Sequence, residues 1–236
     1  MRHGNETNPI VKALKDTHDS QDQAMQETAP KDLTDALRLF NGTVDVVCRR
    51  FGDPNILPFL HVTLVFLHHL TFYPDAMAHV APSFPWKLAA LMLNTLMESC
   101  DPKTRDRVEE GEEEHFSLSV SSSSALDETE PAPDGATQRP LPDDYALRGF
   151  PWVERYFPEG WFANDKIDDD EKYFEVPSMM EERKERTLWL GCRIAKRGRW
   201  LSYDKQAHLF GVPATPASVV EGIDYGELPD AMATWA

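Results

Sequence analysis

The sequence predicts an all-α protein, an array of helical hairpins broken by a disordered acidic insertion and an irregular aromatic segment. Three observations lead there. Leu33, Leu37, Phe40, Val44, Val47 and Phe51 recur at 4-3-4-3-4 spacing, which sets all six on one helical stripe. The run from Ile56 to Tyr73, "ILPFLHVTLVFLHHLTFY", is apolar on nearly every face, as a helix buried among neighbours would be. No stretch alternates strand and helix patterns as a parallel sheet would require.

Taken in order, residues 1–30 are polar without a sustained period and read as disordered. The first helical stripe ends at "GDPN" (52–55), where glycine breaks the helix and proline forbids its continuation. After the buried run, "YPDAMAHVAPSFPW" makes a short helix or turn between prolines, and Pro85 suits the first turn of the next helix. That helix, 86–99, carries Trp86, Ala89, Ala90, Leu93, Leu96 and Met97 at helical spacing. Residues 31–100 are thus helical hairpins joined by short loops.

Residues 101–139 hold eleven acidic and four basic residues, the serine run Ser121–Ser124 and the stretch "EPAPDGATQRP". So little apolar area cannot offset the entropy of ordering, and the segment reads as a disordered acidic Ser/Pro linker. Order returns over 140–210. "LPDDYALRGFPWVERYFPEGWF" brings Tyr145, Phe150, Trp152, Tyr156, Phe157, Trp161 and Phe162 as an irregular layer laid against the helices. A long helix over 178–198 follows, with Ser178 and Glu181 at capping-box spacing. Leu188, Cys192 and Ala195 share one of its faces, "WLSYD" (200–204) reads as a short extended piece, and 211–236 as an irregular tail.

A net charge of −16 argues against general phosphate binding by the whole surface, so any nucleic-acid contact needs a local basic face. Cys48, Cys100 and Cys192 are odd in number and unpaired in spacing, which speaks against a disulfide framework or zinc site and for a reducing compartment, cytosol or nucleus. The polar N-terminus lacks the apolar run of a signal peptide. His61, His68, His69 and Pro58 inside the apolar run favour a buried helix over a membrane span.

One carboxylate cluster is in "DKIDDDEKYFEV" (165–176): Asp165, Asp168, Asp169, Asp170 and Glu171, followed by Glu175. A calcium loop needs alternate carboxylates, then a glycine and a distal glutamate; here the aspartates are contiguous and no glycine follows. The stretch reads as an acidic turn ahead of the long helix. His61 and His68 share a helix face, but seven residues of rise part them by about 10 Å, too far for one metal ion. No nucleophile elbow, phosphate loop, HExxH or paired-cysteine motif occurs, so nothing supports an enzyme or a cofactor.

The best binding feature is basic. Arg186, Arg193 and Arg197 recur at i, i+7 and i+11, within roughly 40° of one another around a helix. Arg183 flanks them, and Lys184, Lys196 and Arg199 add charge. The candidate nucleic-acid contacts are therefore Arg183, Arg186, Arg193, Lys196 and Arg197. The blander alternative is a solvated face paired with glutamates such as Glu182.

Several blocks together resemble one family, the ever-shorter-telomeres/Smg proteins of telomerase recruitment and nonsense-mediated mRNA decay. They are "GDPNILPFLHVTLVFLHHL", "FPWKLAALMLNTL", "LPDDYALRGFPWVERYFPEGWF", "KIDDDEKYFEVPSM" and "RKERTLWLGCRIA", in matching order. The likeness is to the family's Est-type DNA/RNA-binding region in its fungal form, and covers about 40–100 and 140–204. It implies a tetratricopeptide-like superhelix fragment with an insertion of variable length before Leu141, and a non-enzymatic adaptor. Its implied partners are proteins of the mRNA decay or telomerase machinery, with RNA or single-stranded DNA, and no membrane. Two departures stand out. There is no room before residue 31 for the family's 14-3-3-like domain, and no place after 204 for the carboxylates of a PIN-type nuclease. The chain then matches the C-terminal part of the helical region alone, so neither phosphoserine binding nor nuclease activity carries over.

An adaptor in the nucleus or cytoplasm is the leading expectation. A weak nucleic-acid binder using the arginines is the alternative, and a metal-dependent nuclease is the remote one.

Overall fold

The computed structural model describes residues 8–15, 31–110, 116, 140–153, 155–162 and 175–213. Among them are eight α-helices and one two-stranded antiparallel hairpin, so the chain is mostly helical rather than all-α.

Helix α2 (Lys31–Cys48) buries Leu33, Val44 and Cys48, with Leu37, Phe40 and Val47 partly covered against the same core. The expected stripe is therefore real, but one residue short: the helix ends at Cys48, and Phe51 lies beyond it on the surface. "GDPN" stops the chain as its residues require. Gly52 takes a left-handed φ of 77°, and the Asp53 carboxylate accepts the backbone N–H of Asn55 at 3.0 Å.

Helix α3 (Leu57–Leu70) is covered on most of its circumference, burying nine residues, with His61, Thr63 and His68 among them. Helix α4 (Pro74–Val80) and helix α5 (Trp86–Glu98) follow, each opened near a proline that cannot donate a helical hydrogen bond anyway. The Trp86 indole N–H donates to the Ala81 carbonyl at 3.0 Å and ties the turn between them.

Two stretches read as disordered contain helices. Within 1–30, helix α1 (Pro9–Lys15) buries Ile10 and packs on α4. Within 101–139, helix α6 (Pro102–Glu110) is held by polar contacts that composition does not reveal. Asp101 caps it by accepting from Thr104 N at 3.0 Å, and Arg107 reaches Glu185 at 2.5 and 3.0 Å. Phe116, from the same stretch, is buried against Tyr156, Trp161 and Trp189. The rest of both stretches and the tail beyond 213 lie outside the described residues, as does most of the "IDDD" block.

Helix α7 (Pro142–Leu147) starts the aromatic segment, whose rings do lie against the helices: Trp152 sits edge-on to Phe66, and Tyr156 packs against His61 and Trp189. Helix α8 (Pro177–Lys196) runs along α3 and also touches α5 and α6. Its N-cap is Val176, without a side-chain cap bond, so Ser178 lies inside the first turn and the expected Ser178–Glu181 capping box is not formed. Pro177 pre-sets the first helical position instead. At Gly191 an added Cβ would lie 3.0 Å from the Leu93 side chain and 3.1 Å from the Phe210 ring, so a larger residue would have to push both back by a few tenths of an ångström where α8 meets α5 and the hairpin.

The extended piece at 200–204 pairs rather than standing alone. Strand β1 (Ser202–Asp204) pairs with β2 (Leu209–Gly211), Tyr203 opposite Phe210. Asn94 of α5 holds the hairpin by both amide atoms, donating to the Phe210 carbonyl at 3.0 Å and accepting its N–H at 2.7 Å. No described helix is long and apolar enough to cross a membrane.

Candidate functional site

Two adjacent aspartates at the start of α7 meet two arginines of α8. Asp143 accepts from Arg183 at 2.8 and 3.1 Å, while Asp144 accepts from Arg186 at 2.6 Å; both arginines are fully buried. Each arginine has a second carboxylate, Glu175 for Arg183 at 2.6 Å and Glu182 for Arg186 at 2.5 Å. The Asp144 carboxylate also accepts from Leu141 N at 2.9 Å and from the Trp161 indole at 3.2 Å. His61 of α3 completes the cluster: its Nδ1 faces the Asp143 carboxylate and its Nε2 lies 2.5 Å from the Tyr156 hydroxyl. Nδ1–H donates to Asp143, and the tyrosine hydroxyl, which can donate or accept, meets Nε2.

A buried ion pair needs an opposite charge for each of its charges, and each carboxylate and guanidinium here has one, while Asp144 Oδ1 and Arg186 Nε find no hydrogen-bond partner among the described residues. Burial opposes the charged form of Asp143, but hydrogen bonds and charge from His61 and Arg183 outweigh it and hold the carboxyl well below its usual range. Burial likewise works against charged Arg186, and Asp144 leads the neighbours that hold it protonated. Phe116 covers that guanidinium at 4.3 Å and Trp161 at 4.9 Å.

His61, Asp143 and Asp144 could each offer a ligand atom, all within 4.8 Å of one another. The two guanidiniums already occupy these carboxylates, so a cation entering there would be repelled by both. The cluster is an ion-pair lattice joining α3, α7 and α8. Cys48 and Cys192 are similarly inert, their thiols pushed up to about 12, chiefly by burial.

The predicted arginine stripe therefore splits. Arg183, Arg186 and Arg193 are buried, Arg193 stacking on Trp189 at 5.1 Å, whereas Lys196 and Arg197 are exposed. Sharing one helix face did not imply sharing solvent, because α7 supplies carboxylates to the N-terminal half of α8.

The exposed end gains a member that sequence spacing missed. Arg155 and Arg197 both lie over the ring of Phe72, at 5.0 and 4.2 Å. Both are exposed, and neither has a carboxylate within ion-pairing distance among the described residues. His68 lies beneath, between the rings of Phe72 and Trp189. Burial first, then Arg197, Arg193 and His69, lower its pKa to about 4; His69 is also lowered to about 4, by burial and Arg155. Arg155 lies forty-two positions from Arg197, and no periodicity links them. The one available signal was an arginine among aromatics in "VERYF".

Comparison of the chain with protein-family models, curated proteins and solved structures finds no match.

Proposed function

We propose that the chain is a non-enzymatic helical adaptor of the mRNA decay or telomerase machinery, whose contacts include RNA or single-stranded DNA at Phe72, Arg155 and Arg197. The tetratricopeptide-like arrangement and the nuclear or cytoplasmic setting belong to this reading, which rests on the sequence blocks that resemble the ever-shorter-telomeres/Smg family. The nucleic-acid part is carried by one observation: two exposed guanidiniums converge on one aromatic ring without carboxylate partners among the described residues. In a chain of net charge −16, that is the local basic face a phosphate backbone needs. Guanidinium planes and aromatic rings also stack on unpaired bases without demanding a sequence. A protein-only scaffold is the second reading, favoured by the same net charge.

Salt separates the two. The expected result is that the full chain binds single-stranded RNA at low salt and weakens as salt rises. Arg155→Ala with Arg197→Ala should then cost at least about tenfold and reduce the log–log salt slope by about 1.4, roughly 0.7 per lost phosphate contact. Both positions are exposed, so the variant keeps the fold. Binding that is absent at either salt, or untouched by the double substitution, favours the protein-only scaffold. Alanine at Arg183 or Arg186 is no test of binding, because it strands a buried aspartate.

A further inference from the structure

One aromatic ring stands in solvent beside the Phe72 site. Phe150 is 48% exposed, more than any other phenylalanine, tyrosine or tryptophan among the described residues. A single exposed apolar side chain is ordinary. This one is built in place. Its ring stacks on Trp152 at 5.5 Å, and Trp152 stands edge-on to Phe66 of α3 at 5.6 Å. The backbone is fixed on both sides. Gly149 turns the chain with a left-handed φ of 88°, Pro151 locks the next residue, and Phe150 donates to the Leu147 carbonyl and accepts from the Val153 N–H. A ring held this way is already ordered, so a flat partner meets it at little entropic cost.

The turn that follows sets Phe150 near the guanidiniums. Pro151–Val153 is a single 3-10 turn, and the Tyr156 N–H bonds the Val153 carbonyl, so Trp152 and Arg155 project to the same side. Trp152 meets Phe66, and Arg155 lies over Phe72, with its charge also opposing protonation of His69. Phe150, Trp152 and Arg155 thus follow α3 toward Arg197, which shares the Phe72 ring. Six residues part Phe66 from Phe72, about 9 Å of helical rise. Arg148, two residues before Phe150, is a third exposed guanidinium without a carboxylate at ion-pairing distance among the described residues.

An open aromatic face with unpaired guanidiniums before and after it suits a ligand that is flat and anionic by turns. An apolar peptide would leave the arginines without counter-charges. A stacked base brings phosphates with it, and a duplex keeps its base faces closed. We propose, on the nucleic-acid reading of the Phe72 site, that Phe150 on its Trp152 support is a second stacking platform of that site. Phe150 and Phe72 then serve different nucleotides of one unpaired strand.

The test compares binding of the full chain to a uridine oligonucleotide, an abasic strand of the same length and a duplex of the same length. Phe150→Ala weakens the uridine strand at least about fivefold at every salt concentration and leaves the log–log salt slope unchanged, since stacking releases no counterion. The abasic strand and the duplex do not respond to it. Phe150→Tyr retains the wild-type affinity, whereas Phe150→Leu, apolar but without a ring, does not. Urea midpoints stay at the wild-type value in all three variants, because the ring is largely in solvent. Unchanged uridine-strand affinity in Phe150→Ala overturns the platform, and is the outcome if the stack serves a protein partner. The Phe72 site survives that outcome so long as Arg155→Ala with Arg197→Ala still weakens binding. An equal loss on the abasic strand also overturns the platform. A chain that binds no strand at any salt overturns the nucleic-acid reading and the platform together.

Discussion

His68 couples the cationic end of the molecule to its core. It is 8% exposed, lies between two aromatic rings and faces Arg193 and Arg197 across the α3–α8 contact. A proton on it would be both desolvated and repelled, which lowers its pKa from 6.5 to about 4. The unfolded chain therefore takes up a proton below pH 6.5 that the folded chain refuses until about pH 4. Stability from neutral His68 is complete above pH 6.5 and is lost as pH falls through that window, by about 2–3 kcal/mol. Urea midpoints should fall between pH 7 and pH 4.5, and His68→Phe should reduce that slope, leaving the share of His69, which is lowered to about 4 as well. Asp143 has the opposite chemistry but the same sign. Its carboxyl is held low in the fold, so its contribution is present above the unfolded value and is lost only at more acid pH. A fall confined to pH below 4 would exclude His68 as the source.

At the scale of elements, the ion-pair lattice decides how α7 is held to α8. Asp144→Ala leaves Arg186 with Glu182 as its one carboxylate and strips the Leu141 N–H of its acceptor. The expected loss is about 3–5 kcal/mol in urea unfolding, the cost of a stranded buried charge. Asp144→Leu with Arg186→Met should cost less than the single change, since it removes both charges; a larger loss would mean that the pair itself is net stabilising. The lattice also shows what the sequence could say. Helices α2, α3, α5 and α8 were legible because burial writes a period into the chain, and the Leu141–Asp144 block was recognisable as a pattern. That Asp143 and Asp144 neutralise Arg183 and Arg186 was not legible, because residues forty apart carry no shared period. Helix α6 escaped for a related reason. Its nine residues, "PKTRDRVEE", are polar, and long-range ion pairs rather than an apolar stripe hold them. The candidate site was half visible: Arg197 follows from helical spacing, but Arg155 and Phe72 meet it only through the packing of α3 against α8.

For the whole molecule, the question is whether the helices of 31–100 and the elements after residue 140 fold as one unit. Trp189 is the residue to ask. It is 4% exposed on α8 and touches His68 of α3, Tyr156 of the aromatic segment and Phe116 from the acidic stretch. Three separate parts of the chain thus share one side chain. Trp189→Ala should cost about 3–5 kcal/mol, since cavities of this size collapse only partly. Against a typical stability of about 5–15 kcal/mol, that brings the molecule near unfolding at physiological temperature. A single unit predicts one cooperative transition, shifted to lower urea and seen at the same midpoint by circular dichroism and by the remaining tryptophans. Two units predict that Trp86, between α4 and the Trp200 stack, keeps its own later transition while the rest melts early. The contact of α8 with both α3 and α5, through Gly191 and Leu93, argues for the single transition.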